Sequence, residues 1–330
     1  MKITSFVFSI LGLLGLTYII NDYGVSKLHQ DILLIGFFNL VLLSFTFIPT
    51  LICYSLSWEL VTEGFSLTLF KGKFCRMKRT LFFIKSMTIS IAWNNLTPFF
   101  KVAGEPVKAV LLSSYIPVRL SIKSTILYNI IHIIGTILSF VILSILIPVV
   151  FNIPSLYKVI FLSASIICIL SLLPFFFFPL ETTRKWGNAV IKKFPSSKKI
   201  KKIILKILFS ISQLTYFYKK NALRIFLAIF LEVIARFIEG ITFYFTFKLL
   251  GNHISIFTAA ILDVGRTLID TIFFFIPYQI GGRESGVKFL MQNILLIDSK
   301  GYLFAVLAYR LVEIFWVIVG YIFWVARSLK

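Results

Sequence analysis

The chain has 330 residues, of which 58% are hydrophobic, 17% aromatic and only 14% charged, and its mean hydropathy is +0.95. That balance cannot cover a water-soluble surface, so it excludes an ordinary globular protein and points to one embedded in a membrane. The net charge of +21 would suit nucleic acid on a soluble fold. Here the Lys and Arg residues fall between apolar runs, where topology and anionic lipid account for them, and no nucleic-acid partner is expected.

In chain order, residues 3–20 form an apolar run behind Lys2 with no small-residue cleavage site after it, which reads as a retained first span rather than a signal peptide. Residues 21–31 carry Lys27 against Asp22 and Asp31 and belong outside. A second span follows at 32–58, bent at Pro49, and Lys71, Lys73, Arg76, Lys78 and Arg79 then mark a cytoplasmic loop. Residues 81–100 are followed by Lys101, Lys108, Arg119 and Lys123, still basic. A re-entrant element that returns to the cytoplasm fits this better than a full crossing.

Residues 124–149 cross outward and 159–180 cross back. The loop 181–224 holds twelve Lys or Arg against Glu181, and within it Ile200, Ile203, Ile204, Ile207, Leu208 and Ile211 recur at helical spacing. This predicts an amphipathic helix on the cytoplasmic leaflet, with Lys198, Lys199, Lys201, Lys202 and Lys206 toward anionic lipid. Residues 225–250 cross outward, 258–297 dip in, and 302–325 return to a basic end. The expected architecture is an all-α polytopic membrane protein with six to eight membrane helices, two of its elements being re-entrant or broken. It forms a single domain over 1–330, in the cytoplasmic (inner) membrane, with both termini cytoplasmic. An eight-span reading stays open.

Two polar stretches interrupt this apolar plan: residues 93–106, WNNLTPFFKVAGEP, and residues 276–286, IPYQIGGRESG. In each a proline precedes a glutamate by seven positions, Pro98 to Glu105 and Pro277 to Glu284. Broken elements at corresponding places in two halves, about 1–180 and 200–330, point to an inverted repeat around a central binding site. Intramembrane charges add Glu232, Arg236 and Glu239 on one helix face, Asp263, Arg266 and Asp270 on the next, and Arg310 with Glu313 on the last. Charges at this depth face a cavity or a partner. Glu232 with Arg236 and Arg310 with Glu313 stand at i,i+4 and i,i+3, where each pair could neutralise itself. Asp263, Arg266 and Asp270 leave one negative charge over.

Asn95, Thr97-Pro98, Gly104-Glu105-Pro106, the later Pro277, Gly281, Gly282 and Glu284, and Tyr309-Arg310 with Glu313 and Gly320 together resemble the transmembrane, flippase-like region of lysylphosphatidylglycerol synthases. The resemblance covers essentially the whole chain. It departs from the family's frequent double glycine before the first glutamate, since Ala103 takes the first place. It implies translocation of a phospholipid or related amphiphile. It further implies that this chain, ending at Lys330, lacks the soluble aminoacyl-transfer domain of the full synthases and does not aminoacylate lipid by itself.

On this reading Asn94, Asn95, Lys101 and Arg283 bind a phosphate head group. Glu105 and Glu284 hold the broken tips together or receive a cationic head-group moiety. Asp263, Arg266 and Asp270 complete the substrate site, and Arg236, Glu239, Arg310 and Glu313 support it. No catalytic residue, cofactor or metal is expected: His29, His132 and His253 are scattered and read as packing or interface residues, Cys53, Cys75 and Cys168 show no ligand spacing, and no nucleotide-binding loop is present. Two alternatives stand beside the translocase. One is a non-transporting subunit that positions a separate lipid or glycan transferase, a membrane or cytoplasmic lipid-modifying enzyme among them, through 181–224; the other is a membrane-embedded head-group enzyme using Glu105 and Glu284.

Overall fold

A computed structural model describes residue 14 and residues 16–70, 76–96, 103–177, 220–297 and 301–328. Lys101, the amphipathic segment with Lys198, Lys199, Lys201, Lys202 and Lys206, Thr97-Pro98 and most of the first span lie outside the described residues. All regular structure among the described residues is helical. After helical residues 16–23 come α1 (Val25–Phe45), α2 (Ile48–Phe70), α3 (Arg76–Leu96), α4 (Gly104–Ser113), α5 (Val118–Val150) and α6 (Ser155–Phe177). The second part holds α7 (Ala222–Ile238), α8 (Ile241–Leu249), α9 (Ile256–Ile272), a 3-10 turn (Pro277–Gln279), α10 (Gly282–Phe289), a π turn (Leu290–Ile294) and α11 (Tyr302–Ser328).

Four stretches, Val25–Phe65, Val118–Val150, Ser155–Leu172 and Tyr302–Arg327, are long and apolar enough to cross a membrane. At 33 residues, α5 is about 50 Å long and outreaches a hydrocarbon core of about 30 Å. The outer helices present large apolar side chains, such as Phe37, Val159, Ile167 and Phe226, each at least 63% exposed. Water would penalise that surface and lipid does not. The protein is therefore an all-α, multi-pass membrane protein.

Three expectations are corrected in detail. The second span is not one helix bent at Pro49: α1 ends at Phe45 and α2 starts at Ile48, so Pro49 sits in a first turn, where its missing N–H is not needed. Residues 225–250 are likewise two helices, because Gly240 lets α9 come close; a Cβ there would stand 2.7 Å from the Ala259 carbonyl oxygen. The basic 71–79 stretch is partly helical, since α3 begins at Arg76, and Arg79 bonds Glu59 at 2.7 Å and also pairs with Glu63.

The two halves repeat one order: helix, break, short helix opening on glycine with a glutamate in its first turn, then a long apolar helix. This is α3–α4–α5 in the first half and α9–α10–α11 in the second. Each short helix packs on both of its neighbours. Each long helix also packs on the other half's first helix, α5 on α9 and α11 on α3. Such a crossed exchange is what two interleaved repeats produce.

Small residues permit the closest crossings. Gly135 of α5 faces the Cβ of Glu232 on α7, and Gly320 of α11 lies against the Thr88 carbonyl of α3. Between them the core is aromatic, with Trp58 and Phe83 both fully buried and edge-to-face at 5.0 Å.

Buried hydroxyls are satisfied mainly along their own helices. Ser55 donates to the Leu51 carbonyl at 2.7 Å, Thr88 to Ile84 at 2.9 Å, Ser139 to Gly135 at 2.9 Å and Ser144 to Phe140 at 2.7 Å. Two hydroxyl pairs cross between elements: Thr62 of α2 with Ser124 of α5 at 2.6 Å, and Thr46 with Thr242 of α8 at 2.7 Å.

Candidate functional site

Both short helices begin with a polar side chain holding their first turn. The Gly104 N–H donates to Asn94 Oδ1 at 2.7 Å, and the Gly281 N–H donates to Glu284 Oε2 at 2.8 Å, each satisfying a backbone donor at a helix start. The backbones differ between the two breaks. Ala103 has φ −67°, which any residue adopts, so its methyl sits there without strain. Gly281 has φ 77° and sits where a side chain would be strained.

The second break is held by Arg310 of α11. Its Nε donates to Glu284 Oε1 at 2.7 Å, Nη1 to the Tyr278 carbonyl at 2.9 Å and Nη2 to the Gln279 carbonyl at 3.2 Å. Those carbonyls belong to residues with φ 54° and 51°, a left-handed pair that surrounding contacts must over-determine.

Arg310 therefore does not neutralise Glu313, its partner by spacing. Glu313 accepts from Arg283 Nη1 at 2.8 Å, while Arg283 Nε and Nη2 each reach Asp270 at 2.7 Å. Asp270 also accepts from Arg266 Nη1 at 2.8 Å, and Arg266 Nε donates to Asp263 at 2.8 Å. The charge left over on α9 is thus met by Arg283. Arg266 Nη2 reaches the Tyr309 hydroxyl at 3.0 Å and lies 3.6 Å from Glu239, to which Tyr309 donates in turn. The Arg266 guanidinium also lies 4.0 Å from the Tyr309 ring centroid.

The other same-helix pair separates too. Glu232 turns to His132 of α5, whose Nδ1 is 2.7 Å from its Oε2. Arg236 Nη2 approaches His132 Nε2 at 2.9 Å and Thr136 at 3.1 Å, with Glu239 3.8 Å from its Nη1. His132, read from sequence as a packing residue, is a member of the charge network. Tyr54, Tyr309 and Lys108 were also missed. Tyr309 stood among the residues of the family resemblance without a role, and Lys108 stands three positions after Glu105 on α4, where the two pair at 3.1 Å.

These side chains surround a central, partly open cavity of about 400 Å³, lined by residues of α2, α3, α4, α5, α7, α9 and α11. Asn94, Asn95, Glu105, Arg236, Glu239, Arg266, Asp270 and Glu313 of the expected residues line it, together with Lys108, His132, Tyr54, Gln279 and Tyr309. Asp263, Arg283 and Glu284 are at most 1% exposed and stand behind the wall of this cavity, where they fix the lining groups; Arg283, with Arg310, also borders the neighbouring cavity along α11. Glu105 and Glu284 each bond within their own half, to Lys108 and to Gly281 and Arg310, rather than to each other's tip. The wall carries four carboxylates, Glu105, Glu239, Asp270 and Glu313, against Lys108, Arg236 and Arg266.

Two mostly apolar cavities adjoin the central one. One, of about 420 Å³, shares Asn95, Gln279 and Glu313 with it and runs along α11 past Leu307, Ile314 and Val317. The other, of about 410 Å³, shares Glu105 and lies between α4 and α5, against Val110, Ile122 and Ile126. Each apolar cavity thus shares lining residues of a broken element with the polar one. No family model, curated protein or solved structure matches the chain.

Proposed function

We propose that the chain is a lipid translocase of the flippase-like kind, akin to the transmembrane region of lysylphosphatidylglycerol synthases, moving a phospholipid or related amphiphile across the membrane. The observation that carries this reading is the placement of two mostly apolar cavities beside a charged one, with lining residues of the breaks in common. A polar head group with attached acyl chains has that division of chemistry, and a small soluble solute does not. Lys108 and Arg236 suit a phosphate, and the excess carboxylate at Asp270 and Glu313 suits a cationic head-group moiety. Because Arg283 is engaged by Asp270 and Glu313, its role is to hold those carboxylates in place, and the phosphate contact passes to the cations that line the cavity. Opening toward either leaflet would come from movement of one repeat against the other.

The test is leaflet-resolved movement of labelled phospholipids in vesicles containing the purified protein, beside Glu105→Gln. Movement by the wild type that drops at least tenfold in the variant supports the reading. Equal movement by both, or none with zwitterionic, anionic and aminoacylated lipids alike, overturns it.

A further inference from the structure

We infer that His132 is a proton-binding site that sets the position of Arg236 inside the central cavity. Both ring nitrogens are engaged, Nδ1 by Glu232 Oε2 at 2.7 Å and Nε2 by Arg236 Nη2 at 2.9 Å. A guanidinium only donates, so Nε2 must be the bare, accepting nitrogen. The ring proton is thereby assigned to Nδ1, where it is donated to Glu232, and the imidazole is neutral in this arrangement. A second proton can bind only at Nε2. There it would confront the Arg236 N–H, placing two donors and two positive charges at hydrogen-bond distance.

Arg236 has somewhere else to go. Glu239 Oε2 already lies 3.8 Å from its Nη1. The imidazolium would form an ion pair with Glu232, a carboxylate only 1% exposed. The proton has a way in, because His132 lines the cavity and its side chain is 35% exposed. The groups facing it come from every neighbouring element that packs on α5. From α2 comes the Tyr54 ring at 5.4 Å, and from α4 come Glu105 and Lys108, the latter 4.5 Å from the ring of Tyr128, itself 6.0 Å from the imidazole. Beyond Glu232, Arg236 and Glu239 of α7 lie Arg266 and Asp263 of α9; α6 carries Lys158 as its one charged residue.

The consequence rests on the translocase reading. Arg236 is one of the three cations lining the cavity. A head-group phosphate that draws Arg236 away from His132 uncovers Nε2 for a proton, and a proton at Nε2 releases Arg236 to an anion. Proton and lipid then favour each other's binding, a linkage that is reciprocal by thermodynamic necessity.

Nitrogen-15 NMR of histidine-labelled protein in lipid nanodiscs tests the site without any transport. His132→Gln identifies its signals among the three histidines of the chain. The expected result is a bare Nε2 and a protonated Nδ1 at the alkaline end of a pH series, with protonation of both nitrogens on acidification. Arg236→Met removes the donor that keeps Nε2 bare and is expected to scramble that tautomer. An Nε2–H tautomer in the wild type, a ring that keeps one state throughout, or indifference to Arg236→Met overturns the inference.

The second arm imposes a pH gradient on wild-type vesicles. One proton per lipid makes a one-unit gradient sustain a leaflet asymmetry of up to about tenfold, and an even distribution overturns the coupling. Absence of movement with all lipids refutes the translocase reading alone, and the NMR result still decides the proton site.

Discussion

Arg283→Met removes the cation at the centre of the network. The residue is 1% exposed and donates to Asp270 twice at 2.7 Å and to Glu313 at 2.8 and 3.3 Å. Removing one partner of a buried pair costs about 3–5 kcal/mol, because the remaining charge is left uncompensated. Asp270 keeps Arg266 at 2.8 Å, whereas Glu313 loses both bonds it takes from Arg283. At roughly 2 °C per kcal/mol for a chain this long, the unfolding midpoint should fall by about 6–10 °C, read by tryptophan fluorescence in detergent. Adding Glu313→Gln removes the carboxylate that had bonded Arg283 and should recover about 1–3 kcal/mol of that loss. Strict additivity of the two single substitutions would refute the reasoning, since it would show that Arg283 and Glu313 do not act as a pair.

Three further outcomes are expected with the same readout. Arg310→Met strips Glu284, which is fully buried, of its cation and should destabilise by about 3 kcal/mol or more, with partial rescue by Glu284→Gln. Gly240→Ala sets a methyl 2.5 Å from Ala260 Cα and 2.7 Å from the Ala259 oxygen, backbone atoms that cannot step aside, and should cost about 1–3 kcal/mol. Tyr278 holds φ 54°, so Tyr278→Gly should gain about 1 kcal/mol and Tyr278→Val should lose stability, with unfolding midpoints in the order Gly, Tyr, Val.

Much of the fold was legible because lipid imposes simple rules. Long apolar runs must become helices, and the two polar stretches had to be breaks, as Asn94 at Gly104 and Glu284 at Gly281 show. The site was legible as a set of charges and illegible as a set of pairs. Spacing reports only neighbours on the same helix, so Arg266 with Asp263 and Asp270 could be read, whereas Arg310 and Glu313 looked like partners and are not. Which helix faces which is decided by close crossings such as Gly135 on Glu232, between residues distant in sequence. His132 was missed for that reason: a lone histidine on an apolar helix gains its meaning only when α7 brings a carboxylate and a guanidinium to its two nitrogens.

The buried hydroxyls sort the helix contacts into two kinds. At the crossing of α3 and α11, Thr88 turns its hydroxyl back to Ile84 and Gly320 presents bare backbone. The contact there is packing of bare backbone rather than a hydrogen bond between these two residues, and it is flanked by Trp93 against Trp324 at 5.5 Å and by Lys85 over the Phe323 ring. Elsewhere the helices are stitched: α2 to α5 through Thr62 and Ser124, and the α1–α2 corner to α8 through Thr46 and Thr242. If the chain is the translocase proposed above, the hydroxyl-bonded pairs are the ones expected to move together.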